Sequence, residues 1–84
     1  MGKTKDEQFV LCAYEAALHA AGGSEDLQIP LNKYAIGSKC GLAQRGVDAI
    51  CKQLSRSNFV KRVSDTEIIL TKQGEELAQT LLKG

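Results

Sequence analysis

Residues 40–60 read CGLAQRGVDAICKQLSRSNFV and combine two patterns in one short segment. Apolar residues recur at steps of three and four positions, which predicts a helix with one buried face. The opposite face of that helix carries several basic residues, whereas the segment holds a single acidic residue, Asp48. Because an ordinary exposed helix face mixes the two signs of charge, this segment is the first candidate for a functional surface.

We predict that this helix covers residues 43–57. At about 100° per residue, four apolar side chains form a buried seam: Val47, Ile50, Cys51 and Leu54. Four other residues lie on the opposite side of the same helical wheel: Arg45, Ala49, Lys52 and Arg56. The helix is therefore predicted to present a cationic outer stripe with the small Ala49 at its centre, while Gln44 stands at its start.

The charge of the whole chain is nearly balanced, at +1 over 84 residues, but it is unevenly distributed. Residues 31–62 contain seven basic residues and only Asp48 as an acid, whereas the remainder contains four lysines and nine acidic residues. A basic middle between two acidic ends suggests a polyanionic partner. A solvated face without a partner is the alternative interpretation.

The remaining segments predict a mainly α fold with a small β-hairpin, in the order α1-β1-α2-α3-β2-β3-α4. Thr4, Asn32 and Thr71 each stand where a helix N-cap is expected. The short strand before Asn32 contains Pro30 and is therefore predicted at a sheet edge. Gly37, a poor helix former, lies inside the second helix. The predicted elements are a helix over 4–21, a strand within 27–31, a helix over 33–39, β-prone runs at 59–63 and 66–71, and a helix over 72–82.

Length and composition predict one domain spanning residues 1–84, in an ordinary globular protein. No apolar run approaches the ~20 residues that a membrane helix needs, and the start has no apolar stretch of a signal peptide, so we expect a cytoplasmic protein without membrane contact. The three cysteines are odd in number and widely spaced, and only one histidine is present. We therefore predict three free, buried cysteines in a reducing compartment and no metal site.

The sequence contains no arrangement of residues that is typical of a catalytic site. The serines lack a nucleophile elbow, and the glycines at 22 and 23 lack the Lys-Ser/Thr of a phosphate loop. We expect that the protein is not an enzyme and needs no cofactor.

Three further stretches support one interpretation of residues 32–82 when they are taken in order. Ile36-Gly-Ser-Lys-Cys-Gly-Leu42 precedes the helix, and Asn58-Phe-Val60 follows it at the entry to the hairpin. The hairpin then runs into Leu70-Thr-Lys-Gln-Gly74. This arrangement resembles the winged helix-turn-helix domains of small bacterial and archaeal transcription regulators, similar to the MarR and PadR groups.

The resemblance implies double-stranded DNA as the partner, with helix 43–57 as recognition helix in the major groove. Gln44, Arg45 and Ala49 would then face base edges. Six basic residues would hold phosphates: Lys33, Lys39, Lys52, Arg56, Lys61 and Arg62. The predicted function is thus DNA binding in transcription regulation.

Two alternatives stay open at this level. Asp65 and Glu67 make the predicted wing acidic near its tip, where DNA-gripping wings tend to be basic. This favours the alternative of a protein–protein interaction module, since a fold does not define an activity. In addition, the wide apolar face of the first helix either packs inside the monomer or forms a homodimer through helices one and four.

Overall fold

The computed structural model describes residues 4–24 and 26–83 of the chain. Within them the protein belongs to the α+β class, and its helices and strands follow the predicted order. The elements are α1 (Lys5–Ala21), β1 (Leu31–Asn32), α2 (Lys33–Lys39), α3 (Gln44–Arg56), β2 (Val60–Arg62), β3 (Glu67–Leu70) and α4 (Lys72–Lys83). The boundaries of the helices and of β2 and β3 differ from the predicted ones by at most one residue, within the usual uncertainty at element ends. β1 differs more, because it shares only Leu31 with its predicted segment and extends to Asn32.

The three strands form one antiparallel sheet in the order β1-β3-β2, so that β3 is central. Ile68 of β3 pairs with Leu31 on one side and with Arg62 on the other. As predicted, β1 lies at the edge of the sheet. Pro30, which was predicted within the strand, instead directly precedes it, where its missing N–H interrupts no ladder.

The three predicted N-caps are confirmed. Thr4 and Glu7 form a reciprocal capping box at the start of α1. The Asn32 side chain accepts hydrogen bonds from the N–H groups of Tyr34 and Ala35 in the first turn of α2. Thr71 Oγ1 accepts from the Gly74 N–H at the start of α4. Each cap satisfies donors that have no partner inside the helix, which explains why short helices begin where they do.

The core lies between α1 and the other elements. Phe9, Val10, Ala13 and Ala17 of α1 are completely buried. They pack with buried residues of every other element: Leu27, Leu31, Ile36, Val47, Ile50, Cys51, Leu54, Val60, Ile68, Leu70 and Ala78. Packing inside the chain therefore accounts for most of the apolar face of α1, although Leu18 of α1 and Leu82 of α4 remain exposed.

Two glycines allow elements to approach more closely than any other residue would permit. A Cβ at Gly37 would lie 2.1 Å from Val47 Cγ2, so α2 and α3 cross in contact at this point. A Cβ at Gly74 would lie 2.1 Å from the Phe59 carbonyl oxygen, which seats α4 against the start of the hairpin. Gly37, which costs helix propensity in α2, is thus explained by the packing of the helix pair.

The prediction of three free cysteines is wrong for two of them. Cys12 of α1 and Cys40 at the end of α2 form a disulfide across a sequence separation of 28 residues. Cys51 is free and buried, as predicted. The odd number and wide spacing of the cysteines argued against a disulfide framework. These features do not show which cysteine side chains the fold brings together.

No helix within residues 4–24 and 26–83 combines the length and apolar character needed to cross a bilayer.

Candidate nucleic-acid interface

The turn between α2 and α3 is built by backbone geometry. Gly41 adopts a φ of 75°, a left-handed conformation that suits glycine. The next residue, Leu42, donates its N–H to the Gly37 carbonyl oxygen at 2.8 Å. Ala43 precedes the first turn of α3 and caps it with no side-chain hydrogen bond. The turn thus closes on α2, and α3 starts with its first N–H groups lacking a side-chain partner.

The end of α3 is also set by the backbone. Asn58 has a φ of 62°, as expected for a residue that tolerates left-handed geometry after a helix. Phe59 then donates its N–H to the Leu54 carbonyl oxygen at 2.9 Å. This reversal leads the chain directly into β2 and places the sheet beside α3.

The predicted rotation of α3 about its axis is confirmed. Its four predicted seam residues are all buried, and its outer stripe is exposed along the whole helix. Arg45, Lys52 and Arg56 take part in neither of the two ion pairs found among the described residues. Together with Gln44 and Ala49 they form what we call the outer stripe of α3.

Lys33 behaves differently from these three cations. Its Nζ lies 3.1 Å from Asp48 Oδ1, and its side chain is only 14% exposed. The same carboxylate oxygen accepts a hydrogen bond of 2.8 Å from the Tyr34 hydroxyl. Lys33 and Tyr34 therefore hold the start of α2 against the middle of α3, and the charge of Lys33 is already compensated.

The same contacts shift the pKa values of all three groups. The hydrogen bond from Tyr34, followed by that from Lys33, lowers the pKa of Asp48. The pKa of Tyr34 is raised, chiefly because its hydroxyl donates to the Asp48 carboxylate. Partial burial works to lower the pKa of Lys33, but the hydrogen bond and charge of Asp48 outweigh it and raise the value. The cluster is thus most stable with Asp48 ionised and Lys33 protonated.

Adjacent side chains on a strand alternate between its two faces, and this separates Lys61 from Arg62. Val60 and Arg62 face α3 and line a hollow with it, so Lys61 lies on the opposite face of the sheet. Arg62 also forms an ion pair with Asp65 in the turn that follows β2. The predicted phosphate contacts of β2 therefore do not share one surface.

Lys39 lies apart from the other predicted residues. It is exposed at the last position of α2 and lines a separate hollow beside α1, together with Cys12, Glu15 and His19. The structure thus gathers five of the nine predicted residues on α3 and brings Lys33 and Arg62 to the same side of it. Lys39 and Lys61 are not part of that arrangement.

A hollow with a volume of about 370 Å³ lies beside the outer stripe, between α3 and the sheet. Four charged side chains of the predicted set reach it: Lys33, Lys52, Arg56 and Arg62. The sequence pattern did not identify Asp48 and Ser55, which line this hollow, or Tyr34, whose hydroxyl donates to Asp48. The spacing of Asp48, Lys52 and Ser55 placed them on one side of α3, but nothing local revealed that the sheet faces that side.

Within the part of the chain that the structure describes, no cluster of three or more His, Cys, Asp or Glu side chains is placed to hold a metal ion. The uncompensated cations of α3 are therefore the main chemical feature of this surface. In comparisons with protein-family models, curated proteins and solved structures, we found no match to the chain.

Proposed function

We propose that the protein binds double-stranded DNA as a winged helix-turn-helix regulator of transcription, with α3 in the major groove. The observation that carries the proposal is the outer stripe of α3, in which three exposed cations flank the small Ala49. A small residue lets a helix approach a surface closely, and cations beside it suit the two phosphate backbones that border a groove.

The two ends of the stripe have different roles in this proposal. Gln44 and Arg45 occupy the first turn of α3, the part of a recognition helix that meets base edges. Arg56 ends the helix about three turns later, where the backbone of the duplex would pass. Arg45 would therefore contribute to sequence discrimination, and Arg56 to affinity for any sequence.

The contacts of the other predicted residues narrow the proposed interface. Lys33 is compensated by Asp48 and serves the α2–α3 contact, so its contribution to phosphate binding is small. Lys39 and Lys61 lie away from the outer stripe and contribute little in this geometry. The proposed interface consists of Gln44, Arg45, Ala49, Lys52 and Arg56, with Arg62 at its edge.

The test is a titration of the full chain with labelled duplex DNA at two salt concentrations. Arg56→Ala should weaken binding to all sequences about equally and reduce the slope of log K against log salt by ~0.9. Arg45→Ala should cost ~1–3 kcal/mol on a preferred site and less on random duplex. Lys39→Ala removes the same charge elsewhere on the surface and should bind like the parent.

Two outcomes contradict the proposal. One is salt-insensitive or absent binding of the parent protein to every duplex. The other is equal loss of binding in the Lys39, Arg45 and Arg56 variants, which would indicate attraction by overall charge without a defined face. Amide shift changes on adding duplex should fall within residues 43–57.

A second candidate function is docking of a partner protein on the same scaffold. It is favoured by the compensation of Lys33 by Asp48 and of Arg62 by Asp65, which reduces the positive charge that DNA would meet. Pull-down from the native lysate after nuclease treatment separates the two: a specific protein retained without nucleic acid supports docking.

A homodimer through α1 and α4 would present two recognition helices to a two-fold DNA site. Leu18 and Leu82, which are 44% and 59% exposed, are the large apolar residues that these helices leave open. Sedimentation equilibrium of the parent and of a Leu18→Ser, Leu82→Ser variant tests this arrangement. A concentration-dependent dimer that the double variant abolishes supports it, and a monomer at all concentrations contradicts it.

The proposal places the protein in the cytoplasm, where a bacterial or archaeal regulator meets DNA. A disulfide is uncommon in that reducing compartment, so the state of the Cys12–Cys40 pair bears on the location. Alkylation of rapidly acid-quenched cells, followed by mass measurement, would report that state.

A further inference from the structure

The Cys12–Cys40 disulfide lies beside a hollow that the proposed function does not use. Both cysteines are only partly buried. The hollow has a volume of about 370 Å³ and is lined by Cys12, Glu15, Ala16, His19 and Lys39. None of these residues belongs to the outer stripe of α3. A reagent in the solvent can therefore reach the disulfide while the chain remains folded.

The two sulfur atoms of the bond have different surroundings. Of the two bonded cysteines, both of which the structure describes, Cys12 lines the hollow and Cys40 does not. Cys40 Sγ instead lies 3.5 Å from the Gln8 carbonyl oxygen of α1. A reagent that enters the hollow therefore meets the sulfur of Cys12 first.

The charged side chains around the hollow favour an anionic reagent. Lys39, which directly precedes Cys40, lines the hollow together with the ionisable His19 and one acid, Glu15. All three side chains are exposed, and none takes part in either ion pair found among the described residues. A neighbouring cation stabilises a thiolate, so Lys39 favours both the approach of an anionic thiol and the departure of a cysteine thiolate.

The third cysteine is separated from this hollow. Cys51 is 6% exposed and belongs to the core. Burial raises the pKa of its thiol to about 11. Because the thiolate is the nucleophilic form, Cys51 does not compete for the bond at neutral pH. After the bond opens, Cys12 and Cys40 therefore remain the pair that closes it again.

The position of α2 does not depend on the disulfide alone. Ile36 is buried in the core, and Gly37 packs directly against Val47 of α3. The ion pair of Lys33 with Asp48 adds a second contact between the same two helices. These contacts need no S–S bond, so α2 stays packed against α3 when the disulfide opens.

We propose that Cys12 is a site of reversible S-thiolation, at which a small anionic thiol opens the disulfide without unfolding the chain. The reagent thiolate forms a bond to Cys12 Sγ, the bond between Cys12 and Cys40 breaks, and Cys40 leaves with the electron pair as a thiolate. A second reagent thiolate then attacks the reagent sulfur of this mixed disulfide and releases Cys12 as a thiolate. The protein gains two electrons, the reagent is oxidised to its own disulfide, and each cysteine thiolate takes up a proton from water.

The reduced form has a partner for one of its new thiols. Once Cys40 carries a proton, its S–H can donate to the Gln8 carbonyl oxygen that already lies 3.5 Å away. This contact holds Cys40 close to α1, from where it can attack the mixed disulfide on Cys12 and restore the original bond. The inference does not rest on the proposed function.

The attacked sulfur is identified on the oxidised full chain, without DNA. The chain is exposed briefly to 2-mercaptoethanesulfonate, a small anionic thiol, and the reaction is stopped with excess N-ethylmaleimide. Peptide masses then report the modification of each cysteine. We expect the sulfonate adduct on Cys12, the maleimide on Cys40 and no label on Cys51.

A matched pair of variants tests the role of charge at the hollow. Lys39→Gln removes the cation beside the disulfide, whereas Lys61→Gln removes the same charge from an exposed position of β2. The measured quantity is the rate of opening by 2-mercaptoethanesulfonate divided by the rate with uncharged 2-mercaptoethanol, at equal thiolate concentrations. Lys39→Gln should lower this ratio by about twofold or more, and Lys61→Gln should leave it unchanged.

Circular dichroism tests whether the opened chain is folded. The reduced protein should keep its helical signal at room temperature and melt ~10–30 °C below the oxidised protein. A double variant, Cys12→Ser with Cys40→Ser, lacks the bond permanently and should behave like the reduced protein.

Four outcomes overturn the inference: opening of the bond only in denaturant, the sulfonate adduct on Cys40, equal rate ratios in the Lys39 and Lys61 variants, or loss of the helical signal on reduction. None of these measurements involves DNA. A failure of DNA binding therefore leaves the thiolation site intact, and a failure of thiolation leaves the proposed function intact.

Discussion

The two longest helices, α1 and α3, differ in how they use their residues. α1 begins with a capping box and two acids in its first turn, and four of its residues are completely buried. α3 begins at Ala43 without a side-chain cap, has no acid in its first turn, and exposes a cationic stripe opposite its buried seam. The local sequence of α1 favours stability, whereas α3 depends on its neighbours for stability and presents charge to the exterior.

The strongest test of this difference removes the largest completely buried side chain of α1. Phe9→Ala leaves a cavity at a completely buried position and should lower the free energy of unfolding by ~3–5 kcal/mol. Lys52→Ala on the outer stripe of α3 should change it by less than ~0.5 kcal/mol. Urea unfolding monitored by circular dichroism measures both, and a comparable loss in the two variants would refute the division of roles.

The next test concerns the crossing of α2 and α3. Gly37→Ala brings a Cβ into Val47 and should cost ~1–3 kcal/mol through overpacking. Gly46→Ala adds the same methyl group to α3 at a position with open space and should stabilise by up to ~1 kcal/mol. Thermal unfolding distinguishes the two, and a neutral Gly37→Ala variant would mean that the helices separate without cost.

Helix capping provides a test of intermediate size. Thr4→Ala removes half of the capping box of α1 and should cost ~1 kcal/mol. Ala43→Ser supplies the side-chain cap that α3 lacks and should gain ~0.5–1 kcal/mol, since Ala43 already has the extended backbone of an N-cap. If Ala43→Ser leaves the melting temperature unchanged, the start of α3 is satisfied in another way.

The smallest expected effect is a pH dependence at the α2–α3 contact. Because the pKa of Asp48 is lower in the folded than in the unfolded chain, its stabilisation is present above the ordinary aspartate pKa of about 3.9 and is lost as pH falls through the folded value. Asp48→Asn should therefore flatten the acid limb of stability against pH, and Tyr34→Phe should flatten it less. Urea unfolding between about pH 2 and 6 measures this, and an unchanged limb in Asp48→Asn would contradict it.

Helix starts, the order of the elements along the chain and the rotation of α3 were predictable because they depend on neighbours close in sequence. Thr4, Asn32 and Thr71 cap with backbone groups two or three residues away, and the phase of α3 follows from its 3.6-residue period. Asn58 likewise adopts the left-handed geometry expected after a helix end. These features need no knowledge of the rest of the chain.

Features that join distant segments were decided by tertiary packing. The disulfide connects Cys12 with Cys40, the Tyr34–Asp48 hydrogen bond spans two helices, and Gly37 is required by Val47 ten positions later. Lys61 is separated from Arg62 because only one face of β2 meets α3. Lys39 lies apart from the outer stripe because α2 ends beside α1. A local pattern specifies which side of a helix or strand is apolar. Only tertiary packing specifies which other elements contact that side and which contact the opposite side.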